Sequence, residues 1–120
     1  EVLGSVSRSL PALVRADKIG AKARRHGFDF ATPQEAFSKV HEELAEAEAA
    51  VQSGSAEDIA EEFGDLLLSV TCAARLAGAD SEKALYDANE KFIARFSAME
   101  AAADERGIAM VFTGERHFRH

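Results

Sequence analysis

The chain has 120 residues, of which 47% are hydrophobic, and it carries a formal net charge of -7. This length and apolar content predict one domain with a single core. The negative charge argues against a general nucleic-acid surface and against docking to an anionic membrane. The sequence also has no run of about 18 apolar residues, the length that a membrane-spanning helix needs. We therefore expect neither nucleic acid nor membrane as a partner.

The first residues and the cysteine content bear on the protein's location. The segment from Glu1 has neither the basic start nor the apolar centre of a signal peptide. Because residue 1 is not Met, we expect a processed chain or part of a longer protein. The single Cys72 allows no internal disulfide, which fits a reducing cytoplasm.

Residues that typically begin or end helices predict four helices after a flexible lead-in at residues 1–8. The first helix begins at Ser9-Leu10-Pro11, since Ser can cap and Pro is tolerated in the first turn, and it ends before a left-handed Gly27. For the second, Thr32 is the cap, Pro33 takes the first position, and Glu35 closes a capping box.

The second helix ends at Gly54 and the third begins directly afterwards. Ser55, with Asp58 three residues later, caps the third helix, which ends at Gly78. The fourth helix runs from Asp80-Ser81 to about Arg106-Gly107. No segment alternates with period two, so we predict no strands. The predicted fold is an all-α, four-helix bundle-like domain at residues 9–107 with an irregular tail at 108–120.

Apolar residues at steps of three and four predict the faces that the helices bury. The seam of the second helix is Phe37, Val40, Leu44, Ala47 and Val51, and that of the third is Ile59, Phe63, Leu66, Val70, Ala73 and Ala77. Leu67 and Leu68 make half of the third helix apolar on nearly every side. We therefore expect it to be the central, most buried helix.

Two acidic pairs border these seams. Glu43 and Glu46 on the second helix, and Glu62 and Asp65 on the third, each stand three residues apart, on one face of a helix. Like charges so placed repel each other unless a cation offsets them. Carboxylates converging without Cys or His suit Mg2+ or Mn2+ better than Zn2+. The alternative is a solvated acidic face, which is common on helices.

The residues Glu42-Glu43-Leu44-Ala45-Glu46 and Glu62-Phe63-Gly64-Asp65 resemble the EExxE…ExxD signature of the MazG-type nucleoside triphosphate pyrophosphohydrolases. The resemblance covers roughly residues 9 to 107 and includes other short motifs: Ser9-Leu10-Pro11-Ala12-Leu13, Lys18-Ile19, Gly27-Phe28-Asp29, Gly64-Asp65-Leu66-Leu67 and Ala88-Asn89-Glu90-Lys91-Phe92.

This resemblance implies a helical homodimer or higher assembly that hydrolyses (d)NTPs to the nucleoside monophosphate and pyrophosphate. It implies Mg2+, with Mn2+ as a possible substitute, held by Glu43, Glu46, Glu62 and Asp65. It also implies that Asn89, Lys91 and Arg95 contact phosphate or the metal site. The four acids and Lys91 are the predicted catalytic residues.

Further substrate-binding candidates each have a structural alternative. Lys91 and Arg95 lie on one helical face and could reach into a cleft, or extend over the Phe92 seam with their charges in water. Lys18 and Lys22, in one helical row with Arg25, could hold a triphosphate, or form a solvated basic face or pairs with nearby acids. Phe30 could stack on a base, or close one end of the bundle.

The apolar surfaces of the third and fourth helices exceed what one small bundle can cover, which favours pairing with a second copy. The tail from Met110 departs from the family pattern, and the chain has no tryptophan. A non-catalytic helical module that binds nucleotide or a protein partner is the rival interpretation. The presence of all four acids favours the enzyme.

Overall fold

Four α-helices dominate the fold, and the computed structural model describes residues 2–105. No strand occurs among these residues, so the all-α prediction is confirmed. A 3-10 helix at Leu3–Ser5 precedes α1 (Ala12–Arg25), α2 (Pro33–Ser53), α3 (Ala56–Leu76) and α4 (Ser81–Glu105). The predicted tail at 108–120 and the predicted end of the fourth helix lie outside the described residues.

Local capping explains most of these boundaries. The Thr32 hydroxyl accepts a hydrogen bond from the Glu35 N–H, and Ser55 and Asp58 form a reciprocal capping box at the start of α3. Gly27 and Gly78 have φ of 84° and 89°, the left-handed conformation that allows a chain to leave a helix.

Two predicted caps were wrong in detail. The Glu35 carboxylate does not reach the Thr32 N–H but accepts a 2.9 Å hydrogen bond from the Ala31 N–H. At α1 the capping position belongs to Pro11 and no side chain caps the helix, since the Ser9 hydroxyl instead shares a 2.8 Å hydrogen bond with the Ser7 hydroxyl. The lead-in contacts α1 through the 3-10 helix, and Val6 is buried.

The helices α2 and α3 make the most extensive contact between elements, and α1 packs against α3. The two-residue connection between α2 and α3 folds α3 back on α2. After the first turn of α2, its least exposed residues are Ala36, Lys39, Val40, Glu43, Ala47 and Ala50. On α3 the stripe of buried and half-buried residues includes Ile59, Glu62, Leu66, Ser69 and Ala73.

The predicted seams are therefore only partly correct. Ala47 and Ala73 are buried and Val40, Ile59 and Leu66 are half-buried, but Phe37 and Phe63 are 50% and 45% exposed. The central position expected for α3 agrees with its contacts to both α1 and α2, but Leu67 is 59% exposed, so α3 is not buried on every side. These stripes include the small residues Ala36, Ala47 and Ala73, and they also carry the acids Glu43 and Glu62.

The chain divides into two compact units between Ala84 and Leu85. The first contains α1, α2, α3 and the first residues of α4, where the Asp80 carboxylate accepts a hydrogen bond from the Lys83 N–H. In the second unit Phe92 and Phe96 stack with their ring centroids 6.4 Å apart. Among the described helices none is long and apolar enough to cross a membrane.

Candidate functional site

Three carboxylates meet where α2 packs on α3. Ligand oxygens of Glu43, Glu62 and Asp65 all lie within 4.8 Å of one another. Glu43 is buried, Glu62 is half-buried and Asp65 is exposed, so the cluster opens from the helix contact towards solvent. The site thus combines residues of two helices, and α3 supplies two acids from adjacent turns of one face.

Glu62 experiences the concentration of negative charge most directly. Desolvation raises the pKa of Glu62 above its ordinary value, and the charges of Glu46, Asp65, Glu61 and Glu43 raise it further. A raised carboxyl pKa means that the ionised side chain is less stable here, relative to its protonated form, than it is in water. This cost in free energy falls when a proton or a cation offsets the charge.

Glu46 was predicted to join the other three acids. It lies one turn further along α2, is exposed, and stands outside the group of three converging oxygens, although its charge acts on Glu62. The structure therefore brings together three of the four predicted acids. The role of Glu46 as a ligand stays a prediction.

Lys39 is a member of this site that the sequence interpretation missed. Its ammonium lies 3.1 Å from a carboxylate oxygen of Glu43 and 3.2 Å from one of Glu42. Hydrogen bonds to Glu43 and then Glu42 raise the pKa of Lys39, so it stays charged. The signal was available, because Lys and Glu four residues apart on a helix are paired neighbours.

A pocket of about 420 Å³ adjoins the carboxylates and is lined by Phe30, Lys39, Glu43, Asp65, Leu68, Ser69 and Cys72. A second pocket of about 560 Å³ is mainly apolar and includes Ile19, Gly20, Phe28, Asp29, Phe30, Leu68, Cys72 and Arg75 in its lining. Phe30, Leu68 and Cys72 line both. The predicted base-stacking residue Phe30 therefore stands where an acidic pocket and an apolar pocket meet.

The predicted basic residues are placed differently. Lys18 is exposed on α1, and the Lys22 ammonium donates to the Ser5 hydroxyl of the 3-10 helix. Within the described residues neither lysine lines the two pockets. The three candidates on α4 are exposed in the second unit, namely Asn89, Lys91 and Arg95.

An ion pair next to Phe30 was also missed. The Asp29 carboxylate accepts hydrogen bonds of 2.9 and 3.2 Å from the Arg75 guanidinium and forms a 3.1 Å ion pair with Arg24. The hydrogen bonds from Arg75 hold the pKa of Asp29 well below its ordinary range, despite burial. Asp29 and Arg75 are 46 residues apart, so no local pattern joins them.

Comparison with known families identifies the domain. The MazG nucleotide pyrophosphohydrolase domain matches residues 31–99, more than half of the chain. The chain belongs to the MazG family. This confirms the resemblance inferred from the sequence motifs, and the matched segment contains all three converging carboxylates.

Two similar relatives from this family have longer chains. The nucleoside triphosphate pyrophosphohydrolase/pyrophosphatase MazG of Thermotoga maritima is 35% identical over 108 residues, covering 90% of this chain and 41% of that protein. The nucleoside triphosphate pyrophosphohydrolase of Escherichia coli K12 is 41% identical over 113 residues, covering 90% and 42%. The chain thus spans about two fifths of the length of these relatives.

A stretch of 20 residues is also 85% identical to the bifunctional purine biosynthesis protein PurH of Cereibacter sphaeroides. It covers 17% of this chain and 4% of that protein. Such a short match carries no argument about activity, and the MazG assignment rests on the longer alignments.

Proposed function

We propose that this MazG domain hydrolyses nucleoside triphosphates to the nucleoside monophosphate and pyrophosphate, with a divalent cation at the carboxylate cluster. The observation that carries the proposal is the convergence of Glu43, Glu62 and Asp65 inside the segment that matches the MazG family. The names of the two relatives support the substrate class.

The carboxylates fit a small divalent ion. The oxygens of the cluster lie within 4.8 Å of one another, so Glu43, Glu62 and Asp65 could hold one small cation between them. An all-oxygen ligand set favours Mg2+, with Mn2+ as a substitute, over softer metals.

We assign the metal to Glu43, Glu46, Glu62 and Asp65. When bound, the cation neutralises charge on the triphosphate and makes a water molecule easier to deprotonate. The Glu43 carboxylate is fixed by its ion pair with Lys39, which limits its side-chain freedom. Lys91 and Arg95 supply positive charge for the phosphates, Asn89 supplies a hydrogen-bonding amide, and Phe30 presents a ring to the base.

Water attacks the α-phosphorus in this proposal. The β and γ phosphates then leave together as pyrophosphate, and the chain offers no GxxxxGK[ST] loop for an alternative centred on the γ-phosphate. Hydrolysis in 18O-labelled water tests the assignment, because the label should enter the nucleoside monophosphate. Label in free orthophosphate, with a nucleoside diphosphate as the other product, would contradict it.

We also propose that the protein works as a homodimer or higher assembly in the cytoplasm. Large apolar side chains on α2 and α3 are about half exposed, among them Phe37, Leu44, Phe63 and Leu67. Burying such residues against a second copy would remove them from water. Sedimentation equilibrium tests this point, since a monomer at micromolar concentration would contradict it.

A further inference from the structure

The loop between α1 and α2 is tied to α3 through a single carboxylate. The Asp29 side chain is 7% exposed, and one of its oxygens accepts a 2.9 Å hydrogen bond from the N–H of Phe30. The same carboxylate accepts two hydrogen bonds from Arg75. A continuous set of hydrogen bonds therefore runs from α3 to the backbone of Phe30.

The Arg75 guanidinium is itself confined. It lies against Gly20 of α1, where an added Cβ would stand 2.7 Å from Nε and 2.8 Å from one terminal nitrogen. Its Nη2 also lies 3.4 Å from the Cys72 sulfur. Because Gly20 leaves room for the guanidinium, Arg75 can face Asp29 with both of its terminal nitrogens.

These hydrogen bonds fix the position of the Phe30 backbone. Phe30 lines both the pocket beside the carboxylate cluster and the apolar pocket next to it. A displacement of the loop would change the wall that the two pockets share. Small displacements of a substrate-positioning group have large effects on an enzyme.

We propose that Asp29 and Arg75 are positioning residues for nucleotide binding. Their ion pair holds Phe30 between the two pockets, so that the nucleoside of a triphosphate is received in the apolar pocket while its phosphates face the acids. This inference rests on the proposed function. Asp29 and Arg75 also line the apolar pocket, and the role assigned to their ion pair is to hold Phe30 in place.

Tryptophan fluorescence tests the positioning without relying on activity. The chain contains no tryptophan, so Phe30→Trp introduces a single reporter at the loop. Adding Arg75→Met should increase quenching of this reporter by acrylamide towards the value of the unfolded protein. Arg25→Met, a change to an exposed arginine at the end of α1, is the matched control and should leave quenching unchanged. Equal quenching with and without Arg75→Met, in folded protein, would overturn the inference.

Steady-state kinetics then test the effect on the substrate. Arg75→Met should raise KM for a dNTP about tenfold to a hundredfold. The inhibition constant of tripolyphosphate, which has phosphates but no nucleoside, should stay unchanged. Combining Arg75→Met with Phe30→Ala should add little to the effect of Phe30→Ala alone, because residues that act through one another are not additive. Additive effects, or equal weakening of tripolyphosphate, would contradict a positioning role.

Gly20→Ala provides a second variant if Arg75→Met does not fold. Alanine favours the helix, while its Cβ displaces the end of a flexible side chain. It should increase quenching and raise KM in a folded protein, and no change in either would overturn the inference.

If the wild-type protein hydrolyses no nucleoside triphosphate, the proposed function fails. The quenching result still decides whether the ion pair positions Phe30.

Discussion

Replacement of Asp29 by asparagine is the change whose effect on stability follows most directly from the geometry. The asparagine side chain would keep one acceptor oxygen but lose the negative charge that faces Arg75, whose side chain is 16% exposed. Removing one partner of a fully buried ion pair costs about 3–5 kcal/mol, and a hydrogen bond to a charged group contributes about 1.5–3 kcal/mol. Because Arg75 keeps some contact with water, we expect Asp29→Asn to lower the free energy of unfolding by about 2–3 kcal/mol.

Differential scanning calorimetry at neutral pH measures this loss. For a domain of this size the expected fall in Tm is roughly 8–12 °C. Arg24→Met is the matched control, because it removes a partner of the same carboxylate whose side chain is 54% exposed. Solvent screens such a pair, so the control should cost less than about 1 kcal/mol.

The pH dependence provides an independent check. The hydrogen bonds from Arg75 lower the folded-state pKa of Asp29 from its ordinary value of 3.8. The folded protein therefore binds fewer protons at this position than the unfolded chain does. The stabilisation is complete above the ordinary pKa and is lost as the pH falls below it. The difference in Tm between wild type and Asp29→Asn should be constant near neutrality and should shrink below about pH 4. A neutral-pH Tm equal to that of the wild type, or a difference that does not shrink in acid, would refute the reasoning.

Three further predictions concern the proposed activity and assembly. Glu62→Gln should abolish turnover and remove the rise in Tm that Mg2+ produces. It should also raise the Tm of the metal-free protein, because it relieves like-charge repulsion. Glu48→Gln, on the exposed side of α2, is the control. Wild-type activity of Glu62→Gln at saturating Mg2+ would exclude the metal assignment. Lys91→Met and Arg95→Met should each raise KM or lower kcat by about tenfold or more without changing Tm, whereas a lowered Tm with unchanged kinetics would favour a packing role. Leu67→Glu should shift sedimentation equilibrium towards monomer, and an unchanged mass would place the interface elsewhere.

The sequence predicted the helices well because their boundaries depend on neighbouring residues. The Thr32 hydroxyl and the Ser55–Asp58 box satisfy backbone groups within three residues, and Gly27 supplies a conformation that side chains disfavour. The acidic motifs likewise lie within single helices, at spacings that a helix brings to one face. Family membership and the candidate ligands could therefore be inferred from local pattern and motif order.

Tertiary structure decided which faces of α2 and α3 meet. Two stripes one residue apart both repeat with helical spacing, one with Phe37 and Leu44 and the other with Ala36 and Glu43. Hydrophobicity favours the first, but the helices pack through the second, which contains small residues. Glu43 consequently lies in the contact itself instead of beside it, and its buried charge is paired with Lys39.

The sequence by itself thus determined the helices, their order and the acidic motifs, since each depends on hydrogen bonds or spacings within a few residues. Only the tertiary structure decided the rotation of the helices, the position of Glu46 outside the three converging acids, and the pairing of Asp29 with Arg75. These contacts join residues that are distant along the chain. Their formation depends on how closely whole surfaces can pack, which no local pattern specifies.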